Sequence, residues 1–567
     1  MQQLSALDAL FLYLETPETP MHVGSLFLLE KPKGHRGSFY PNIRRLIESR
    51  MHLAPLFSRK LAFMPFDLAN PIWLHDDSVD LDWHIRAMTL PKPGSTIQLE
   101  AAVAKLHEGM LDRDRPLWQF TIIEGLASGE VAFTSRIHHA GLDGQGGVAL
   151  AQAVLDIEPK PAPRARQAGG RENLRKSSRN AIPPSAAKML SAAFRNSVAQ
   201  YGKIFKAGAG ALKSIGAAGA RTAMALTSSQ AKKMGAPTEQ LSGLANMVEL
   251  AGNVATLTTN DTPLQAAKKL LPAGMKLGPR TPLNVAITGK RSFATAQIPL
   301  AEAKMLAKYF DVKLNDIILA TVSGALRRFY ADDKRTLNKS MIGAVPASLR
   351  TPDDTSQSNQ VTMMLIDMAT NIADPAKRVA AIREASSAAK TLTSSMKGAL
   401  TTVTSDLPTL GIPWLMGIIT PLYKTAVATN RIPVVANLVI SNVPGPPMPL
   451  YMAAAKLKSY YPVSIVTHGL ALNITIHSYA GSLDYGFIAA KEQVPKLANL
   501  IKCLNAAHDE LMNLAITSAA TVDLETAPVS KKGAVKRAGT AQKMAVLKTP
   551  TANKQAAAMS KTRSKNA

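Results

Sequence analysis

A chain of 567 residues, 46% of them hydrophobic, is too long for one core and too apolar for a disordered polymer, so it predicts at least two domains. Its single cysteine, Cys503, excludes a disulfide scaffold, and no apolar run reaches the roughly 20 residues a membrane span requires. The net charge of +26 is concentrated in two places: residues 160–233 carry +14 and residues 531–567 carry +10, leaving the remainder near neutral.

In chain order, Met1-Gln-Gln lacks the basic start of a secretory signal, and Ser5-Ala-Leu-Asp8 reads as a capping box opening a helix. Val131–Ile137 alternates like a strand and runs into His138-His139-Ala-Gly-Leu-Asp143-Gly144. Gly144–Gly147 then breaks the pattern before a helical stretch, Val148–Leu155. Successive strand side chains face opposite ways, which groups His139 with Ile137, Ser135, Phe133 and Val131, and His138 with Arg136 and Thr134. An imidazole on the apolar face stays neutral near pH 7 and can accept a proton, so His139 is the candidate general base. His138 is its hydrogen-bonded support. Asp143 orients the turn through an arginine or backbone amides, and Gly144 permits a backbone angle or approach that a side chain would block. A metal reading is weak: the two rings point apart, no Glu sits at helical spacing from them, and no cysteine pair exists.

Pro159–Arg179 is a Pro/Arg/Gly linker, after which Ser185 reads as a helix N-cap. Met189, Phe194, Val198, Tyr201, Phe205 and Leu212 then recur at helical steps among lysines and arginines. Such a helix lies in an anionic lipid interface or packs on the protein body, and its period does not separate the two. Asn284–Ala294 reads as a hairpin around Gly289-Lys290. Asn315-Asp316 opens a helical run, Leu314–Tyr330, which it can cap. Asn442-Val-Pro-Gly445 is a turn, and Leu472–His477 with Asp484–Ile488 forms a second hairpin. Cys503 falls in a helix-like stretch and no GxSxG elbow is present, which argues against a covalent intermediate on cysteine or serine. Lys531–Ala567, rich in Ala, Lys and Thr, predicts disorder. The expected division is 1–158, a lobe with the histidine motif; 159–280, a basic linker with an amphipathic helix; 281–515, a second α/β lobe; and 516–567, a disordered basic tail.

The HHxxxDG pattern resembles that of coenzyme A-dependent acyltransferases and peptide-synthetase condensation domains. Leu4–Glu15 with Pro20-Met-His-Val-Gly24, Arg115-Pro116-Leu117-Trp118, Leu314–Ala320, Val345-Pro346, Ser441–Pro446 and Leu472-Asn-Ile474 narrow the likeness to the bacterial wax ester synthase/diacylglycerol acyltransferase family. The match runs from residue 4 to about 510, interrupted near 160–275. Ser358-Asn359 and Ala489-Ala490 depart from the family pattern, away from the histidines.

The resemblance implies an α/β fold of two chloramphenicol acetyltransferase-like lobes with a central tunnel, here joined by the long basic linker. It implies O-acyl transfer from long-chain acyl-CoA, a substrate rather than a cofactor, to a fatty alcohol or diacylglycerol, with no cofactor and no metal. Asn315 and Asp316 would then shape the active site beside Gly144. Pro116, Leu117, Trp118 and Asn442 would line substrate channels, although Trp118 reads equally as core. The basic linker and tail would meet an anionic membrane or lipid-droplet surface, placing the enzyme in the cytoplasm on the inner membrane or on droplets, with no nucleic-acid partner. The rival readings are a condensation-type enzyme fed by carrier-protein-bound acyl groups and a non-enzymatic lipid-droplet or nucleic-acid binding protein.

Overall fold

The computed structural model describes residues 2–64, 67, 69–142, 144–160, 276–348, 361–405, 412–430 and 433–526. Residues 1–516 form one compact unit and 517–567 a second. Most of the basic linker, with the helical pattern of 185–215, lies outside the described residues, as do the tail from Lys531, Asp143 and Ser358-Asn359.

The first unit is built on two six-stranded sheets and one small sheet. The small one pairs β1 (Gln2–Gln3), β4 (Ile72–His75) and β3 (Arg59–Ala62). The first large sheet takes β2 (His22–Glu30), β5 (Ile85–Thr89), β6 (Trp118–Glu124) and β7 (Val131–His138) from the first third of the chain. The second takes β8 (Arg291–Pro299), β9 (Ile342–Ser348), β10 (Val361–Asp367), β11 (Leu438–Val443), β14 (Leu472–Tyr479) and β15 (Ser482–Ala490). Between β11 and β14 the chain crosses over. It lays β12 (Tyr451–Met452) and β13 (Ala455–Val463) onto the edge of the first sheet, β13 antiparallel to β2. The segment 281–515 therefore serves both sheets.

Alternation along β7 explains where the core sits. Val131, Phe133 and Ile137 join Phe27, Leu29, Phe120 and Ile122 on one face, under Ile43 and Ile47 of the helix Tyr40–Arg50. Ala132 on the other face belongs with Leu26, Ile123 and the helix Thr96–Leu106 to a core shared with the second sheet. Full burial of a side chain such as Phe133 contributes about 1.5–3 kcal/mol. A Cβ at Gly24 would lie 1.7 Å from the Ser135 carbonyl oxygen, so only glycine lets β2 run this close to β7.

The Ser5 cap forms, its hydroxyl accepting the Asp8 N–H at the start of the helix Ala6–Leu14. The β14–β15 hairpin forms as expected. The hairpin expected around Gly289-Lys290 does not: β8 begins at Arg291 and pairs with β15, while Asn284 and Ile287 bond to Ala436, Gly469 and His468 instead. Helix also starts earlier than expected after the histidine motif, at Gly144. The last helix, Leu497–Thr526, extends past the expected start of the tail. No helix among the described residues is long and apolar enough to cross a membrane.

Candidate active site

β7 delivers the two histidines to the end of the first sheet, and the strand stops at His138. His138 N–H donates to Leu117 O (3.0 Å), and its ring Nδ1 accepts the Ala140 N–H (3.1 Å), capping a single 3₁₀ turn, His139–Gly141. His139 is thus the first residue of a turn rather than the last of a strand, and strand alternation does not set its direction. Its N–H donates to Met21 O (2.8 Å), and its ring stacks on Phe11 at 3.9 Å and 17°. Ala140 seals the turn against Leu4, Ala9, Leu12 and Leu117. His139 is half-buried with Nδ1 covered and unpartnered among the described residues, and burial pushes its pKa down to about 4. The imidazole is neutral at pH 7.

The neighbouring ring is held differently. Because Nδ1 of His138 accepts a backbone N–H, its proton sits on Nε2, which faces Glu15 Oε2 at 3.4 Å. Neither nitrogen is left to take a substrate proton. Glu15 ends the first helix with its side chain out of solvent. Its Oε1 accepts the Met21 N–H (2.9 Å), and its Oε2 accepts from Arg113 Nε (3.2 Å) and Nη2 (2.9 Å). Burial works to raise the Glu15 pKa, but His138, Met21 and Arg113 outweigh it and hold the carboxyl below its usual range. One carboxylate therefore faces the His138 ring and reaches His139 through Met21. Arg136, grouped with His138 by strand alternation, donates to Gln119 Oε1 and Gly109 O.

Further imidazoles lie behind this turn. His22, opposite His138 in the β2–β7 ladder, is fully buried and meets His107 edge-on at 4.2 Å. Burial drives His22 well below the usual histidine range and His107 down to about 3.

The other residues singled out from sequence fall into two groups. Asn442, near the end of β11, donates to Asn315 Oδ1 (3.4 Å), so two motifs 127 residues apart meet at the end of the second sheet. Asp316 caps the helix Leu314–Phe329 by accepting the Lys313 N–H (3.1 Å); its buried Oδ1 has no partner among the described residues. Pro116 and Leu117 are buried, and Leu117 packs beneath the histidine turn. Trp118 lies wholly in the core, stacked on His84 at 4.2 Å with its indole N–H on Phe57 O (3.2 Å). Gly144 is the first residue of its helix. Sequence reasoning missed Phe11, Glu15 and Arg113. The available signal was an acidic residue closing the apolar run Ala9–Leu14, which needs a partner once buried.

A neutral, half-buried imidazole just beyond a strand end, beside a carboxylate-braced neighbour, is chemically able to accept a proton from a hydroxyl. Residues 4–318 match the wax ester synthase/diacylglycerol acyltransferase catalytic domain, and residues 357–512 match the WS/DGAT C-terminal domain. The O-acyltransferase WSD of Acinetobacter baylyi is 30% identical over 509 residues, covering 88% of this chain and 95% of that protein. A protein of Mycobacterium tuberculosis described as a probable diacylglycerol O-acyltransferase is 30% identical over 511 residues, covering 89% of this chain and 97% of the relative. The fold resembles that of the wax ester synthase/diacylglycerol acyltransferase from Marinobacter aquaeolei VT8, with a TM-score of 0.59 and 23% identity over 91% of this chain and 100% of that one. The chain belongs to the wax ester synthase/diacylglycerol acyltransferase family, and it is an acyltransferase with an α/β fold built on two six-stranded sheets.

Proposed function

We propose that the chain transfers a long-chain fatty acyl group from acyl-CoA to a fatty alcohol, a diacylglycerol, or both, with His139 as general base. The neutral, Phe11-backed ring of His139 is the observation that carries this reading. The imidazole takes the acceptor hydroxyl's proton as its oxygen bonds to the thioester carbonyl carbon. The tetrahedral adduct collapses with cleavage of the C–S bond, and the imidazolium returns its proton to the departing thiolate. His138 and Glu15 hold the turn and take no part in proton transfer. Asp143 orients the turn next to Gly144. Asn315, Asp316 and Asn442 shape the site from the second sheet, with Pro116 and Leu117 beneath the turn. Trp118 supports the fold, because a side chain with no exposed surface has none to offer a substrate.

In this reading the two large sheets are the cores of two lobes, 1–158 and 281–515, the second lending β12 and β13 to the sheet of the first, with the substrate tunnel between them. The basic linker 159–280 and the tail 516–567 attract an anionic inner membrane or lipid-droplet surface, where the enzyme works peripherally from the cytoplasm. Purified protein incubated with labelled palmitoyl-CoA and either hexadecanol or dioleoylglycerol tests the reaction: labelled wax ester or triacylglycerol supports it, and release of free palmitate alone refutes it.

A further inference from the structure

β11 ends at Val443, and the eight residues Val443-Pro-Gly-Pro-Pro-Met-Pro-Leu450 that lead to β12 contain no charge. Val443 is 43% exposed and Met448 48%, with Pro444, Pro447 and Pro449 also exposed. The loop is firmly mounted. Gly445 N–H donates to Ser478 Oγ (3.1 Å), Leu450 N–H to Tyr479 Oη (2.8 Å), and Ala480 N–H to Pro446 O (3.2 Å). A Cβ at Gly445 would sit 2.0 Å from His477 Cε1, so the loop lies flush on β14. The four prolines have no N–H, and those of Gly445 and Leu450 are already bonded. Few backbone donors would therefore lose water if this edge entered an apolar phase.

Beside the loop, Asp156 and Tyr451 exchange two backbone hydrogen bonds of 2.8 Å, which places Ile157, 69% exposed, at the loop's exit. From there the chain enters residues 160–233 with their net charge of +14. An uncharged exposed edge, followed in sequence after Ile157 by a dense basic segment, combines the two attractions that hold a protein on a lipid surface. The same charge opposes a second copy of this chain as the occupant.

We propose that loop 443–450 and Ile157 form a wedge that inserts into the surface of an anionic phospholipid bilayer. The inference rests on the lipid-acceptor reading above and adds the surface through which the enzyme meets its acceptors, one residue from Asn442 and its partner Asn315.

The test uses the full chain carrying Cys503→Ser, so that one introduced thiol is labelled with an environment-sensitive nitrobenzoxadiazole probe. At Met448→Cys, phosphatidylglycerol-containing vesicles blue-shift the emission, and mid-chain spin-labelled lipids quench it. At Ile97→Cys, a position 76% exposed on the helix Thr96–Leu106, emission stays unchanged. Met448→Asp combined with Ile157→Asp weakens vesicle sedimentation about tenfold, while turnover of detergent-dispersed hexadecanol is retained. An unresponsive probe at Met448→Cys, equal responses at both positions, or a dimer in sedimentation velocity that Met448→Asp dissolves would each overturn the wedge. Absence of acyl transfer by the unsubstituted chain in detergent strikes at the underlying reading instead, and is separable because the probe response requires no turnover.

Discussion

The turn after β7 and the turn after β11 each follow an interior strand of a six-stranded sheet, yet their polar side chains are held in opposite ways. Around His138 and His139, a buried carboxylate, a stacked phenyl ring and two backbone carbonyls hold the turn. At the second turn the backbone is anchored on Ser478 and Tyr479, but the side chains of Asn442 and Asn315 share one amide bond at the long end of the range. The difference teaches where precision is needed. A group that moves a proton must be oriented and kept neutral before substrate arrives, whereas groups that shape a cavity can adjust to the chain they accept.

Substitutions can break that contrast, and the largest effect is expected at the base itself. His139→Ala lowers ester formation by about 10²–10⁴-fold in a protein with an unchanged circular dichroism spectrum. Glu15→Gln comes next. It keeps the side-chain shape but removes the charge facing Arg113 and His138, costing about 1–3 kcal/mol in urea denaturation and lowering kcat more than KM. Equal rises in KM with kcat intact would place Glu15 outside the turn's support. The smallest effect falls on the second turn: Asn315→Ala removes one weak amide bond, about 0.5–1 kcal/mol, and changes turnover by only a few-fold. If Asn315→Ala instead matched His139→Ala, the asymmetry between the turns would be wrong.

Stability should fall with acid because of the same burial that keeps the proposed base, His139, neutral. Folding lowers its pKa from 6.5 to about 4, so between those values the unfolded chain binds a proton that the folded chain refuses. His84 and His477, also pushed by burial to about 4, act in the same direction. The urea midpoint therefore declines as pH drops from 6.5 toward 4, and a midpoint flat across that interval would contradict the burial of these rings.

Much of this was legible from residue order. The β7 alternation, the Ser5 cap, the helix at Leu314 and the β14–β15 hairpin follow from local periodicity and capping chemistry, which need no distant partner. The hairpin misread at Gly289-Lys290 shows the limit. Its glycine and flanking apolar residues satisfy a local rule, but β15 competes for Arg291–Pro299 from almost 200 residues away and wins a nine-residue ladder. The crossing of β12 and β13 onto the first sheet is equally invisible locally, since a strand's sequence does not name its partner. At the site, the choice of His139 over His138 rested on strand alternation that the structure replaces with a turn. What separates the rings is the Ala140 N–H and the Glu15 carboxylate, contacts between residues up to 123 positions apart.

The pH dependence of kcat/KM between pH 5 and 8 tests the neutral base most directly. A ring titrating near 4 predicts a rate that holds level across that range. A half-maximal point near 6.5 would mean that His139 is solvated and charged like a free histidine, and would contradict the account.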